Sequence, residues 1–123
     1  MPLLTQDLMA LGVGAGAVAS LARCQRLPDC PDPATAFGCA YVLEGATLGG
    51  RMLLPLAQER LGLTPEHGAT FLASYGERVT SKWREFGAAL DAWCSSPPRQ
   101  ARAAAAAVST FDALDEWLCG RAP

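Results

Sequence analysis

No stretch of this chain alternates apolar and polar residues with period two over the length of a strand, whereas apolar residues recur every three or four positions along most of it. The clearest case is Phe71, Tyr75, Val79, Trp83, Phe86, Leu90 and Trp93, spaced by four, four, four, three, four and three. Side chains at such intervals share one side of an α-helix and no single side of a strand. The core must therefore be built from helix faces. The expected architecture is an all-α bundle of four or five helices, in a single domain over residues 1–123 with one modest core.

Capping and breaking residues divide the chain. Thr5 is placed to cap a first helix reaching about Leu21, weakened by Gly12, Gly14 and Gly16. These glycines do not make a phosphate loop: Ala19 stands where the G-x-G-x-x-G pattern needs its last glycine, and no strand precedes them. The apolar run Leu8 to Ala22 imitates a signal peptide, with Ala17-Val18-Ala19 as a cleavage-like triplet. No Lys or Arg precedes it, Asp7 sits where positive charge belongs, and it is too short to span a bilayer. Pro28, Pro31 and Pro33 make residues 23–33 a linker.

A long helical stretch is expected from Asp32 or Thr35 to about Leu61, stopped by Gly62. It contains Gly38, Gly45, Gly49, Gly50 and Pro55. By propensity each glycine costs roughly 1 kcal/mol and the proline about 3. A helix that keeps them needs a kink, or a neighbour that requires its bare backbone. Thr64-Pro65-Glu66 reads as the start of the next helix, which carries the aromatic stripe and bends at Gly76. Ser96-Pro97-Pro98 ends it and opens a last helix from about Arg99 to Cys119. There Val108, Phe111, Leu114 and Leu118 face the core, and Gly120 terminates.

A net charge of −2 gives no electrostatic reason to expect nucleic acid. The five cysteines are odd in number, no two have C-x-x-C spacing, and His67 is the only histidine. That pattern offers no zinc site and fits reduced, partly buried thiols in a cytoplasmic protein.

The most informative segment is Phe37-Gly38-Cys39-Ala40-Tyr41-Val42-Leu43-Glu44-Gly45-Ala46-Thr47-Leu48-Gly49-Gly50-Arg51. Gly45 and Gly49 are four apart and share a helix face, with the small Ala46 and Gly50 beside them. Such a strip admits close approach of a flat partner. Spacing alone leaves two partners open, a second helix or a planar cofactor, and helix packing is the commoner use.

Tyr41-Val42-Leu43-Glu44-Gly45-Ala46-Thr47-Leu48-Gly49-Gly50 resembles the distal helix of bacterial heme oxygenases, whose pattern is close to Y-V-x-E-G-S-x-L-G-G. Ala46 stands where serine is usual. Asp7-Leu8 and Leu11-Gly12-Val13 are similar to the family's D-L-x-x-L-G-V. Phe71-Leu72-x-Ser74-Tyr75-Gly76 with Trp83-Arg84-x-Phe86 is similar to its F-F-x-x-Y-G…W-R-x-F, and the closing Phe111-x-x-Leu114-x-x-Trp117-Leu118 matches as well. The resemblance runs in order along nearly the whole chain, and points to the branch associated with bacteriophytochromes.

This resemblance implies a heme oxygenase-like helical bundle, with heme as both substrate and cofactor. It implies an oxidoreductase that cleaves heme with O2 to biliverdin, iron and carbon monoxide. An electron-donor protein or small reductant, and a bacteriophytochrome as biliverdin acceptor, are the implied partners. By position Gly45, Ala46 and Gly49 would lie against heme and bound oxygen, with the cofactor doing most of the chemistry. Thr47 would join a water network or bond back to its own helix. Tyr41 would reach a propionate or serve as a core tyrosine. Lys82 and Arg84 would pair with propionates or remain solvated. Phe111 would line the pocket or fill the core. No catalytic side chain and no metal ligand is assigned.

The family holds iron through a histidine on an early helix. His67 lies beyond the distal helix and is not at that position; a solvent-exposed histidine in a helix's first turn is its expected role. The chain is therefore expected to be an N-terminally truncated, partial member of the family. Its own activity is then in question, and exposed bundle faces would favour dimerisation or low solubility. The alternative is a non-enzymatic helical module that binds heme, a bilin or a protein partner.

Overall fold

The computed structural model describes residues 2–120, and its elements are helical throughout. They are α1 (Pro2–Ala10), α2 (Ala15–Ser20), α3 (Pro33–Leu61), α4 (Thr70–Ala73), a 3-10 turn (Gly76–Arg78), α5 (Val79–Trp93) and α6 (Pro97–Leu118). Among the described residues there is no strand, and no helix is long and apolar enough to cross a membrane. The described residues have the all-α character expected of the chain. Its contacts group into two units, residues 2–22 with 46–82, and residues 23–45 with 83–120.

In the first unit, the helix expected from Thr5 to Leu21 is two helices. The N–H of Gly12 bonds to the carbonyl of Met9 at 3.0 Å and that of Val13 to Leu8 at 2.9 Å, the paired bonds of a Schellman end. They require the left-handed backbone that Gly12 adopts at φ +89°. Thr5 lies inside α1 rather than at its cap.

A second correction falls at Thr64-Pro65-Glu66, which does not start a helix. Thr64 and His67 exchange backbone hydrogen bonds at 2.9 and 3.0 Å, and the Ala69 N–H also bonds to the Thr64 carbonyl. The segment is a tight turn, and His67 is exposed on it rather than in a first helical turn. Helix α4 begins at Thr70, where its cap comes from elsewhere in the chain. Asp7, only 5% exposed, accepts the N–H groups of Thr70 at 2.9 Å and Phe71 at 2.7 Å. A carboxylate on the first free N–H groups of a helix supplies what a local serine or threonine would otherwise provide.

The aromatic stripe is interrupted as well. Ser74 takes φ 48°, ψ −114°, closing α4 after a single turn, so Phe71 and Val79 stand on different helices. Val79 and Ala69 are fully buried. Gly50 packs on the backbone of α4, where a Cβ would come within 2.8 Å of the Leu72 carbonyl oxygen. Arg51 donates to the Thr80 hydroxyl at 3.1 Å.

In the second unit, Asp32 starts α3 as expected, accepting the Thr35 N–H at 3.0 Å and the Thr35 hydroxyl at 3.1 Å. The Thr35 N–H, ahead of the hydroxyl bond and the Arg102 charge at 3.6 Å, holds the Asp32 carboxyl below its ordinary value. Ala34, Cys94 and Ala103 form a small buried cluster, with Phe37 and Leu90 packed on it. Gly38 lies so close to α6 that a Cβ would overlap the Ala103 carbonyl oxygen and approach the Ala106 methyl to 2.8 Å.

Helix α6 begins at Pro97, with Ser96 in extended conformation before it. Its buried face is Ala103, Ala106, Thr110 and Ala113, not the expected Val108, Phe111 and Leu118, which are all exposed. The physical reason is the close approach at Gly38, which only small side chains on the facing helix permit. The larger residues are left on the other side.

Candidate functional site

The small residues of α3 divide into three kinds by what faces them. Gly38 and Gly50 each meet backbone of another helix, so their missing Cβ is spent on helix packing. Gly45 faces the Trp83 ring, whose edge would lie 3.6 Å from a Cβ, an ordinary van der Waals distance. Gly49 faces open space, with nothing within 4 Å of where a Cβ would be.

Within the first unit, Gly49 belongs to a longer feature. Met52, Leu53 and Leu56 follow it at the i+3, i+4 and i+7 positions of one helix face, and all three are exposed, Met52 by 82%. An apolar stripe with a bare glycine at its head would ordinarily be covered. Its spacing is visible in the sequence, where the pattern continues past Gly50. Ala46 is exposed, and Thr47 and Lys82 are half-buried.

In the second unit, Tyr41 is brought to the Trp83 ring, centroids 5.4 Å apart, and Trp83 stacks on Phe86 at 5.8 Å. Phe37 extends the group, 5.9 Å from Phe86 and 6.4 Å from Trp93. Tyr41 also lines an open, mostly apolar cavity of about 490 Å³ with Gly38, Leu90, Cys94 and Ala103. At 41% exposed, Tyr41 is not a core tyrosine. Arg84 is exposed, and Phe111, at 54% exposed, is not core filling.

Residues 8–119 match the family model described as heme oxygenase. The chain belongs to the heme oxygenase family. A search of curated proteins finds no match, and a comparison with solved structures finds none either. The matched span begins in α1 and ends just beyond α6, so the family pattern covers both units. Members of this family bind heme. The open side of Gly49 and the uncovered Met52, Leu53 and Leu56 fit the flat, apolar surface of a porphyrin. Among the described residues no group of three or more His, Cys, Asp or Glu is arranged to hold a metal ion.

Proposed function

We propose that this member of the heme oxygenase family binds heme against the Ala46–Gly49 face of α3 and takes part in its O2-dependent cleavage to biliverdin, iron and carbon monoxide. The observation that carries this is Gly49. It stands open on a helix where Gly38 and Gly50 meet neighbouring backbone and Gly45 meets the Trp83 ring, and it heads an exposed apolar stripe. Bound heme supplies both the oxygen-activating iron and the ring that is opened.

The chain's own residues contribute binding, shape and exclusion of water. The absent side chain at Gly49 lets α3 approach a planar ligand, and leaves backbone rather than side-chain groups to border the oxygen side. Met52, Leu53 and Leu56 remove apolar ligand surface from water. Within the same unit, Lys82 is the proposed cationic partner of a propionate. The cellular setting proposed with this is cytoplasmic and bacterial, with an electron donor upstream and a bacteriophytochrome as biliverdin acceptor.

The test is a titration of the purified chain with hemin, followed by reductant and O2. A Soret band followed by biliverdin absorption is the expected result. A Soret band without ring opening would leave a heme-binding module and overturn the enzymatic part. No spectral change would overturn heme binding itself.

A further inference from the structure

Outside the residues assigned to heme, the linker before α3 brings two thiols together. Cys30 is exposed, Cys39 is half-buried in the second turn of α3, and their sulfurs are 3.3 Å apart, the Cys30 S–H donating to Cys39. Eight residues separate them in sequence, a spacing that announces no redox motif. The proximity comes from how the linker is held. At one end Arg26 pairs with Glu116 of α6 at 3.0 Å. At the other, Asp32 is tied to Thr35 by two hydrogen bonds. Pro28, Pro31 and Pro33 restrict the backbone in between.

We propose that Cys30 and Cys39 are a dithiol site that closes to an intramolecular disulfide by exchange with a low-molecular-weight disulfide. One sulfur, as its thiolate, attacks the reagent RSSR to form a protein–S–S–R mixed disulfide and release RS⁻. The other loses its proton to solvent, attacks the protein sulfur of that mixed disulfide, and releases the second RS⁻. Two thiols and RSSR thus become one protein disulfide and two RSH, with two electrons passed to the reagent. The sulfurs need only close from 3.3 Å to bonding distance, about 2.05 Å. The other three thiols are placed differently: Cys24 is half-buried, Cys94 is buried, and Cys119 bonds to the Asp115 carboxylate at 3.3 Å. The bond would staple the linker to α3, a covalent constraint on the second unit alone.

Glutathione disulfide is the probe, and the full folded chain is the substrate. After exposure, free thiols are blocked with iodoacetamide and the chain is cut with trypsin. Both cysteines fall in one peptide, residues 27–51. The expected product is that peptide without alkyl label and lighter by two hydrogens, about 2 Da. The same reaction in denaturant is expected to be slower. In the Cys39→Ser variant, Cys30 is expected to retain a glutathione adduct. The proposal is overturned if both cysteines are alkylated when exposed Cys119 has already reacted. It is equally overturned by a glutathione adduct that persists on either cysteine in the wild type, by pairing with another cysteine, or by closure as fast in denaturant as in the native chain.

Discussion

The carboxylate of Asp7 accepts the backbone N–H of Phe71 at 2.7 Å across sixty-four residues of sequence, so that α1 caps α4. Asp7 is buried, and its other oxygen is occupied by the Thr70 N–H. Replacing it with alanine would leave two helix-terminal donors without partners in the interior. The expected cost for Asp7→Ala is about 2 kcal/mol, read as a lower urea midpoint at unchanged slope. Asp7→Asn keeps one acceptor oxygen and should lose less. Equal stability of the alanine variant and the wild type would show that the cap contributes nothing.

Gly38 and Gly49 sit in the same helix and should respond oppositely to a methyl group. Gly38→Ala drives a Cβ into the Ala103 carbonyl, and backbone cannot yield without moving a helix. A loss of about 2 kcal/mol is expected. Gly49→Ala meets nothing and gains helix propensity, so the ligand-free chain should be unchanged or more stable by up to about 1 kcal/mol. Thermal unfolding of the two variants side by side measures the contrast.

A larger residue at Gly49 separates binding from folding. Gly49→Phe is expected to leave the ligand-free fold intact by circular dichroism, because the space beside it is open. It should weaken hemin binding at least about tenfold, a loss of about 1.4 kcal/mol. Unchanged affinity in the Soret titration would refute the placement of heme on this face.

The cap at Asp32 makes part of the stability depend on pH. Its folded-state carboxyl lies below the ordinary value of 3.8, chiefly because the ionised form accepts the Thr35 N–H. A carboxyl lowered on folding stabilises fully above its unfolded value, and that contribution disappears as pH falls through the lower folded value. The stability gap between wild type and Asp32→Ala should therefore be constant near neutrality and narrow only in acid below about 3.8. Chemical denaturation across that range checks it; a gap that widens in acid contradicts the assignment.

Ser74 holds a backbone region open almost only to glycine, at φ 48° and ψ −114°. Such a residue carries about 1 to 3 kcal/mol of strain. Ser74→Gly relieves it against the greater freedom of an unfolded glycine, and a net gain of about 1 kcal/mol is expected in urea unfolding. A loss of stability would mean that the serine side chain makes up for its backbone.

The helical class, the linker, the start of α3 at Asp32, its stop at Gly62 and the opening of α6 by Pro97 are all local. Each follows from period, proline, glycine or a cap within a turn of the residues it acts on, and each is legible in the sequence. The glycine-rich family segment is legible in the same way. What escaped a linear reading depended on distant partners. Thr64-Pro65-Glu66 has the composition of a helix start, yet α4 begins five residues beyond Pro65, where Asp7 reaches its N–H groups. Val108 and Phe111 have the composition of a core face, yet the close contact at Gly38 turned alanines inward instead. The glycines of α3 look alike as letters, and only their neighbours separated Gly38 and Gly50, used for packing, from the open Gly49. Composition along a chain determines which backbone shapes are allowed. Which small residue is covered and which stays bare is settled by what lies across from it, and that is a property of the folded chain alone.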